Sequence, residues 1–268
     1  VVSDVLKRKI SARVRCSDVP GDMRNSTLRN SPGTAGDITV RTMPRERERG
    51  EGNRRERKKA MQGIVSETCS SPRVTRMINM MPRPGVLAGF ALDLTVVHPE
   101  DGLPWDFSKS GKLEKARRLR REQSPYMLIG SPECKAFCAL QALNTARSTN
   151  PDEYDRAKRR AVKHIEFMVE IYPEQMTDCH FFIHEHPKLA TSWQLRVMTG
   201  LMDNPDVNLA HGDQCQYGAE VQSCSEKGAP SLKPTGFLSN PLKVVEALSK
   251  VCTGAGGLCS RAGGAFHA

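Results

Sequence analysis

The sequence is short of aromatic residues and of long apolar runs. Phe, Tyr and Trp together make up 5% of its 268 residues, and no apolar run approaches the roughly 18 residues that a membrane helix needs. The chain also opens without the basic, apolar and small-residue segments of a secretion signal. We therefore expect no membrane span and an intracellular protein, either nuclear or cytoplasmic.

Cysteine pairs with the CxxC spacing are missing as well. The nine cysteines are odd in number and irregularly spaced, which is typical of reduced thiols and not of a disulfide framework. Cysteine and histidine do cluster late in the chain, at Cys215, Cys224, Cys252, Cys259 and His267. Structural zinc sites usually draw their ligands from closely spaced pairs. Because no CxxC pair occurs here, we expect no metal site.

Charge is distributed unevenly along the chain. Residues 1–60 contain 16 Lys and Arg against 8 Asp and Glu, whereas the rest of the chain is close to neutral. This segment is also rich in Ser, Gly and Pro, and it has too few apolar residues to offset its conformational entropy. We expect residues 1–62 to form a disordered basic arm, which is either a solvated linker or a segment that binds phosphates without sequence preference.

Strand and helix patterns alternate from Ile64 onward. The predicted strands cover residues 90–95, 126–130, 180–184 and 207–210. The predicted helices cover residues 112–123, 134–146, 151–171, 192–202 and 241–251. Strands separated by helices of this length predict a mainly parallel sheet with helices on both faces. We therefore predict an α/β, Rossmann-like domain over residues 63–251, followed by a Gly/Ala-rich flexible tail over residues 252–268.

Two of the predicted helices have distinctive faces. In the helix at 151–171, the apolar residues fall on one stripe, formed by Ala161, Ile165, Met168, Val169 and Tyr172. The helix at 112–123 is instead crowded with basic residues, namely Lys115, Arg117, Arg118, Arg120 and Arg121. This basic helix is either an ordinary solvated surface or a ridge that faces phosphates. Because the first residue is Val and not Met, we also expect the chain to be a piece of a longer product.

Reactive side chains follow two of the predicted strands. One strand ends at Gly130 and presents Cys134 where a helix is predicted to begin, and the next delivers Glu185 between His184 and His186. Because the carboxyl ends of parallel strands share one edge, we expect the thiol and the acid to meet there. A thiolate can add to an electron-poor carbon while a nearby acid protonates the ring. We expect the two histidines to point to opposite faces and not to bind one metal ion together.

Structural roles are the alternative for these residues. A single cysteine after a strand is commonly a small buried apolar residue, and Glu185 is equally suited to pairing with an arginine or capping a turn. Trp105 and Trp193 fit packing anchors better than platforms on which bases stack.

Several motifs taken together resemble a known family. The segment Gly130-Ser-Pro-Glu-Cys-Lys-Ala-Phe-Cys138 resembles the nucleophile motif of DNA cytosine-5 methyltransferases, and Glu185-His-Pro187 resembles the Glu-Asn-Val motif that follows it. More closely, residues 64–268 look like a methyltransferase-like segment of protist retrotransposon polyproteins. Further resembling stretches are Leu92-Asp-Leu-Thr95, Pro104-Trp-Asp-Phe-Ser108, Asp213-Gln-Cys-Gln-Tyr-Gly218 and Lys233-Pro-Thr-Gly-Phe237.

The resemblance implies a reaction and a site. Cys134 matches the nucleophile that adds to C6 of cytosine, and Glu185 matches the acid that hydrogen-bonds the base edge, after the base has left the helical stack. The implied cofactor is S-adenosylmethionine, and the implied cofactor-binding residues are Ser70, Ser71, Pro72, Asp93 and Asp106. The implied function is methyl transfer to a base of DNA or RNA, which the basic arm and the basic helix would bind.

Two departures separate the chain from the family pattern. Residues 68–73 lack the glycines that let a cofactor approach the backbone closely. Glu133 stands where the family has proline, and a carboxylate next to a cysteine disfavours the thiolate, although Lys135 opposes this effect. The competing interpretation is a non-catalytic nucleic-acid-binding module of a mobile-element polyprotein, in which the arm and the basic helix carry the binding.

Overall fold

Six strands form one mixed sheet in the computed structural model, which describes residues 63–138, 151–222, 226–261 and 264–268. The strands are β1 (Gly63–Thr68), β2 (Val86–Leu92), β3 (Met127–Gly130), β4 (Phe181–Pro187), β5 (Asn208–Asp213) and β6 (Pro234–Ser239). Their order across the sheet is β2-β1-β3-β4-β6-β5. Strands β1 to β4 are parallel, and β6 is antiparallel to both of its neighbours, so β5 runs with the first four. The prediction of an α/β fold with a mainly parallel sheet is confirmed.

Five α-helices lie within the described ranges, of which four are between strands and one follows β6. They are α1 (Val74–Met80), α2 (Ser110–Gln123), α3 (Pro151–Thr177), α4 (Arg196–Met202) and α5 (Leu242–Ala247). Single 3-10 turns follow three strands, with Lys135–Phe137 after β3, Thr191–Gln194 after β4 and Gln214–Tyr217 after β5. Where a helix over residues 134–146 was predicted, the backbone becomes extended at Cys138, and residues 139–150 lie outside the described ranges.

Helices pack on both faces of the sheet, as predicted. On one face, the apolar stripe of α3 is buried against Leu128, Phe182 and Leu238. On the other face, α1 and α5 pack against a second cluster that includes Ile129, Ile183 and Phe237. The stripe prediction for α3 is confirmed, because Ala161, Ile165, Met168 and Tyr172 are buried and Val169 packs against the same cluster.

The basic helix α2 is held by carboxylates. Buried Arg120 lies 3.1 Å from Glu174 on α3 and 2.6 Å from Asp178, the residue that follows α3. Arg117 donates two hydrogen bonds to the carboxylate of Glu170, which also lies on α3. Lys115 and Arg118 also have carboxylates within 4.0 Å. Much of the charge on α2 is therefore paired, which favours a structural role over a phosphate-facing ridge.

The C-terminal segment folds back on itself within the described residues. Cys259 N–H donates to the Ala265 carbonyl, His267 N–H donates to the Gly257 carbonyl, and Leu258 pairs with Phe266 in an antiparallel bridge. The predicted arm at residues 1–62 lies outside the described ranges. In the part of the chain that the structure describes, every helix is too short or too polar to cross a bilayer.

Candidate functional site

The carboxyl ends of the parallel strands align at one edge of the sheet. Thr68 pairs with Gly130 across β1 and β3, and Gly130 pairs with His184 across β3 and β4. Cys134 lies four residues after the end of β3, and Glu185 is the residue after His184 in β4. The two candidate catalytic residues therefore belong to neighbouring strand ends on the same edge. That their side chains face one shared cleft stays a prediction.

A buried carboxylate shapes the first turn of this edge. Glu67 is 1% exposed, and it accepts hydrogen bonds from the Thr75 backbone N–H at 2.7 Å and from Thr75 Oγ1 at 2.6 Å. Ser70 Oγ and the Arg73 N–H also donate to it, each at 3.3 Å. In place of a glycine, Cys69 adopts a positive φ of 54°. The role of Glu67 as the anchor of this turn was not predicted from the sequence.

Two of the predicted cofactor-binding residues come together at the ends of β1 and β2. Ser71 Oγ donates to Asp93 Oδ1 at 3.3 Å, and the same oxygen accepts from the Thr95 N–H at 2.9 Å and Thr95 Oγ1 at 2.7 Å. Ser70 is buried and donates to Glu67, so it belongs to the turn itself. Pro72 is exposed and lines an open depression between α1 and β2. Ser71 and Asp93 are thus joined in one polar network.

Asp106 lies near a histidine that the sequence analysis missed. Partial burial raises the pKa of Asp106, but hydrogen bonding to Ser108 outweighs this effect and lowers it overall. Burial lowers the pKa of His164, against the attraction of Asp106, Glu133 and Asp93. His164 Nε2 is buried without a hydrogen-bond partner among the described residues. The sequence feature that could have indicated His164 is its position as a single histidine on the apolar stripe of α3.

His184 and His186 lie on the same face of β4, and the prediction that they point to opposite faces is wrong. Residues two apart on a strand share a face, and these two rings have centroids 5.8 Å apart. Each is held by a hydroxyl, with Tyr172 Oη 3.0 Å from His184 Nδ1 and Ser192 Oγ 2.6 Å from His186 Nδ1. Glu185 lies between them in the chain and therefore faces the other side.

The surroundings of both histidines disfavour their charged forms. Burial lowers the pKa of His184 well below its usual value. Burial also lowers the pKa of His186 to about 4, although Glu185 and the nearby backbone of Glu133 and Pro132 act in the opposite direction. His186 Nε2 makes no hydrogen bond of good geometry with a described residue. The proximity of this ring to Pro132 and Glu133 shows that the turn before Cys134 packs over the end of β4.

Glu185 is held by partners from two other strand ends. Its side chain is mostly buried, and Gln214 Nε2 donates to its Oε1 at 3.1 Å. Lys233 Nζ lies 3.7 Å from the same oxygen, with its own side chain about half exposed. Pairing with a basic residue, the structural alternative for Glu185, is therefore realised with lysine in place of arginine. Such a partly exposed pair contributes little to stability.

The two tryptophans pack within the fold, as expected. Trp105 is buried between His98 and Phe107. Trp193 donates from Nε1 to the Pro187 carbonyl at 2.8 Å. Its ring lies over Gly236 of β6, where a side chain would collide with it.

A second group of reactive side chains lies beyond the end of β5. Cys215, Cys252, Cys259 and His267 each offer one ligand atom, and these atoms all lie within 4.8 Å of one another. The expectation of no metal site depended on spacing along the chain, which does not show this grouping. Cys224, the remaining member of the late cluster, lies outside the described residues.

The chain was also compared with known proteins. No protein-family model matches it, and the curated proteins contain no significant match. The resemblance to cytosine-5 methyltransferases therefore depends on the sequence motifs quoted above.

Proposed function

We propose that residues 63–251 form an S-adenosylmethionine-dependent methyltransferase domain that acts on a nucleic-acid base. The observation that carries the proposal is the Ser71–Asp93 hydrogen bond, which links the ends of β1 and β2. It lies at the same sheet edge as Cys134 and Glu185. Open α/β sheets bind nucleotides at this edge, where an acidic residue holds ribose hydroxyls.

The topology gives independent support. In an otherwise parallel sheet, β6 is reversed and lies between β4 and β5. The strand order also changes direction at β1, which has β2 on one side and β3 on the other, and open α/β sheets bind ligands at such a switch point. The fold alone does not specify a function, so the proposal needs the polar residues at the strand ends as well.

The side chains suit the proposed chemistry. When bound, S-adenosylmethionine supplies the methyl group, and Ser71 and Asp93 would hold its polar part. Cys134 is partly exposed at the start of its 3-10 turn, and the proposal requires its sulfur to reach a base that has left the stack. Glu185, oriented by Gln214, would hydrogen-bond the base edge as the thiolate adds to the ring.

Methyl transfer and cofactor binding test the proposal separately. Calorimetry with S-adenosylmethionine should show saturable binding to the wild type and to Cys134→Ser, and much weaker binding to Asp93→Ala. A labelled methyl group should pass to cytosine-containing DNA or RNA with the wild type and not with Cys134→Ser, because a hydroxyl is far less ionised than a thiol. Cys138→Ser is the matched control, since Cys138 is exposed and four residues away.

The outcomes separate the two candidate functions. Methyl transfer that survives Cys134→Ser would exclude Cys134 as the nucleophile. An absence of cofactor binding by the wild type would favour the non-catalytic nucleic-acid-binding module instead. The glycine-free turn, in which Cys69 is buried, is the observation that supports this alternative.

A further inference from the structure

We infer that Cys215, Cys252, Cys259 and His267 bind one Zn²⁺ ion in a structural site that fastens the C-terminal segment to the end of β5. Three thiolates and one imidazole are a ligand set that zinc favours. All four positions are supplied by the protein, which is the arrangement of a structural site and not of a catalytic one. This inference is independent of the proposed methyl transfer.

The spacing of the ligand atoms fits a tetrahedral ion. Metal–sulfur bonds of about 2.3 Å give a tetrahedron with edges of roughly 3.8 Å. Cys252 Sγ and His267 Nε2 are 3.7 Å apart, and no pair among the four ligand atoms exceeds 4.8 Å. A contraction of about 1 Å or less would therefore close the full coordination shell.

Hydrogen-bond donors already point at the sulfur atoms. Gln216 Nε2 lies 3.5 Å from Cys215 Sγ and 3.6 Å from Cys259 Sγ. The Ser260 backbone N–H and its hydroxyl both donate to Cys252 Sγ, at 3.4 and 3.5 Å. Donors around metal-bound thiolates orient the ligands and offset their charge. The surroundings of three of the ligands thus suit thiolates that share a cation.

Apolar burial does not explain why this segment folds. Its largest apolar side chains are at the surface, since Val251, Leu258 and Phe266 are 54%, 44% and 68% exposed. The buried side chains at its centre are instead the ligands Cys215 and Cys259, which are 0% and 4% exposed. Small units with little apolar core commonly depend on a metal ion for their stability.

Hydrogen bonds join the two segments that carry the proposed ligands. The Cys252 N–H donates to Asp213 Oδ2 at 2.7 Å, and the Lys250 N–H donates to Tyr217 Oη at 2.9 Å. Cys215 lies between Asp213 and Tyr217 in the chain, so the turn that carries it is fixed directly to the segment that carries Cys252. A disulfide between two of the cysteines is the rival explanation, but it would give no role to the third sulfur or to the imidazole.

Metal binding by the reduced full-length chain tests the inference. Purified under reducing conditions and dialysed against Zn²⁺, the wild type should retain one zinc ion per chain by elemental mass spectrometry. Co²⁺ in its place should give the visible absorption of a tetrahedral ion with thiolate ligands. His267→Cys should still bind cobalt with a shifted spectrum, because it keeps four ligands. Loss of a hydrogen-bond partner of a ligand typically weakens metal binding by roughly 10–100-fold. Because His267→Ala removes a ligand itself, it should weaken zinc binding by more than that.

Controls make the result decisive. Cys179→Ser removes an exposed cysteine outside the cluster and should leave zinc binding unchanged. Zinc should slow proteolysis after residue 250 in the wild type and not in Cys259→Ala. If the reduced wild type retains no more zinc than Cys252→Ser/Cys259→Ser, the inference is overturned. If the wild type shows two fewer titratable thiols before reduction than after it, and binds no zinc once reduced, the cluster would be assigned to a disulfide instead.

Discussion

Replacing Glu67 should destabilise the whole domain, because this carboxylate anchors the start of α1 from the end of β1. Its two shortest contacts are to the backbone N–H and the hydroxyl of Thr75, at 2.7 and 2.6 Å. Hydrogen bonds to charged groups contribute about 1.5–3 kcal/mol each. Glu67→Ala removes both contacts in a buried position, so we expect the free energy of unfolding to fall by about 3–5 kcal/mol.

Glu67→Gln should cost less, on the order of 2 kcal/mol, because the amide keeps one acceptor oxygen but places an NH₂ group among donors. Thr75→Val removes only the hydroxyl, which donates one hydrogen bond to the carboxylate, and should cost about 1.5–3 kcal/mol. Urea unfolding followed by tryptophan fluorescence measures these changes, since Trp105 is buried. A double-mutant cycle of Glu67→Gln and Thr75→Val should show coupling between the two sites.

The reasoning would be refuted by an unfolding free energy for Glu67→Ala that lies within about 0.5 kcal/mol of the wild type, the range of ordinary surface substitutions. Additive effects in the cycle would show that the two side chains do not act together. Against total stabilities of about 5–15 kcal/mol, the expected loss is large enough to lower the yield of folded protein.

Three further predictions concern acid stability, the arm and the nucleophile. Because the unfolded imidazole of His186 binds a proton near pH 6.5 and the folded one only near pH 4, the unfolding free energy should fall as pH drops through this window, by roughly 3 kcal/mol. His186→Gln should make that dependence less steep, with His184 still contributing to it, and an unchanged slope would contradict the assignment. Deleting residues 1–60 should leave the melting temperature nearly unchanged while weakening nucleic-acid binding at low salt; a large thermal loss would show that the arm is structural. Glu133→Pro should increase methyl transfer, because it removes a negative charge beside Cys134, and slower transfer in the labelled assay would count against this reasoning.

Sequence patterns located the elements whose local signals were strong. The apolar runs that become β3 and β4, and the stripe on α3, are where burial produces a clear periodicity. Strand β6 was not predicted, because Pro234 and Gly236 are poor strand formers and its pairing depends on β4 and β5. Tertiary pairing therefore decides that segment, and no local pattern reveals it.

Some residues of the candidate site could be identified from local sequence patterns, and others could not. Cys134 and Glu185 could be found from the sequence because each lies near the end of an apolar run, Cys134 shortly after one and Glu185 shortly after the next. The role of Glu67 depends on a helix that begins six residues after the end of β1, and the zinc ligands depend on a fold that brings residue 215 to residues 252–267. Contacts between distant segments are set by topology, so spacing along the chain could not indicate them.

The position of β6 fixes the order in which this edge of the sheet can be completed. Strand β5 is made before β6, yet β6 is its only neighbour in the described sheet. During synthesis, β5 must therefore remain without a backbone partner until residues 234–239 have emerged. Glu185 acquires Lys233 at the same late stage. A nascent chain that stops before residue 233 would hold the first four strands and still lack one of the two polar partners of that carboxylate.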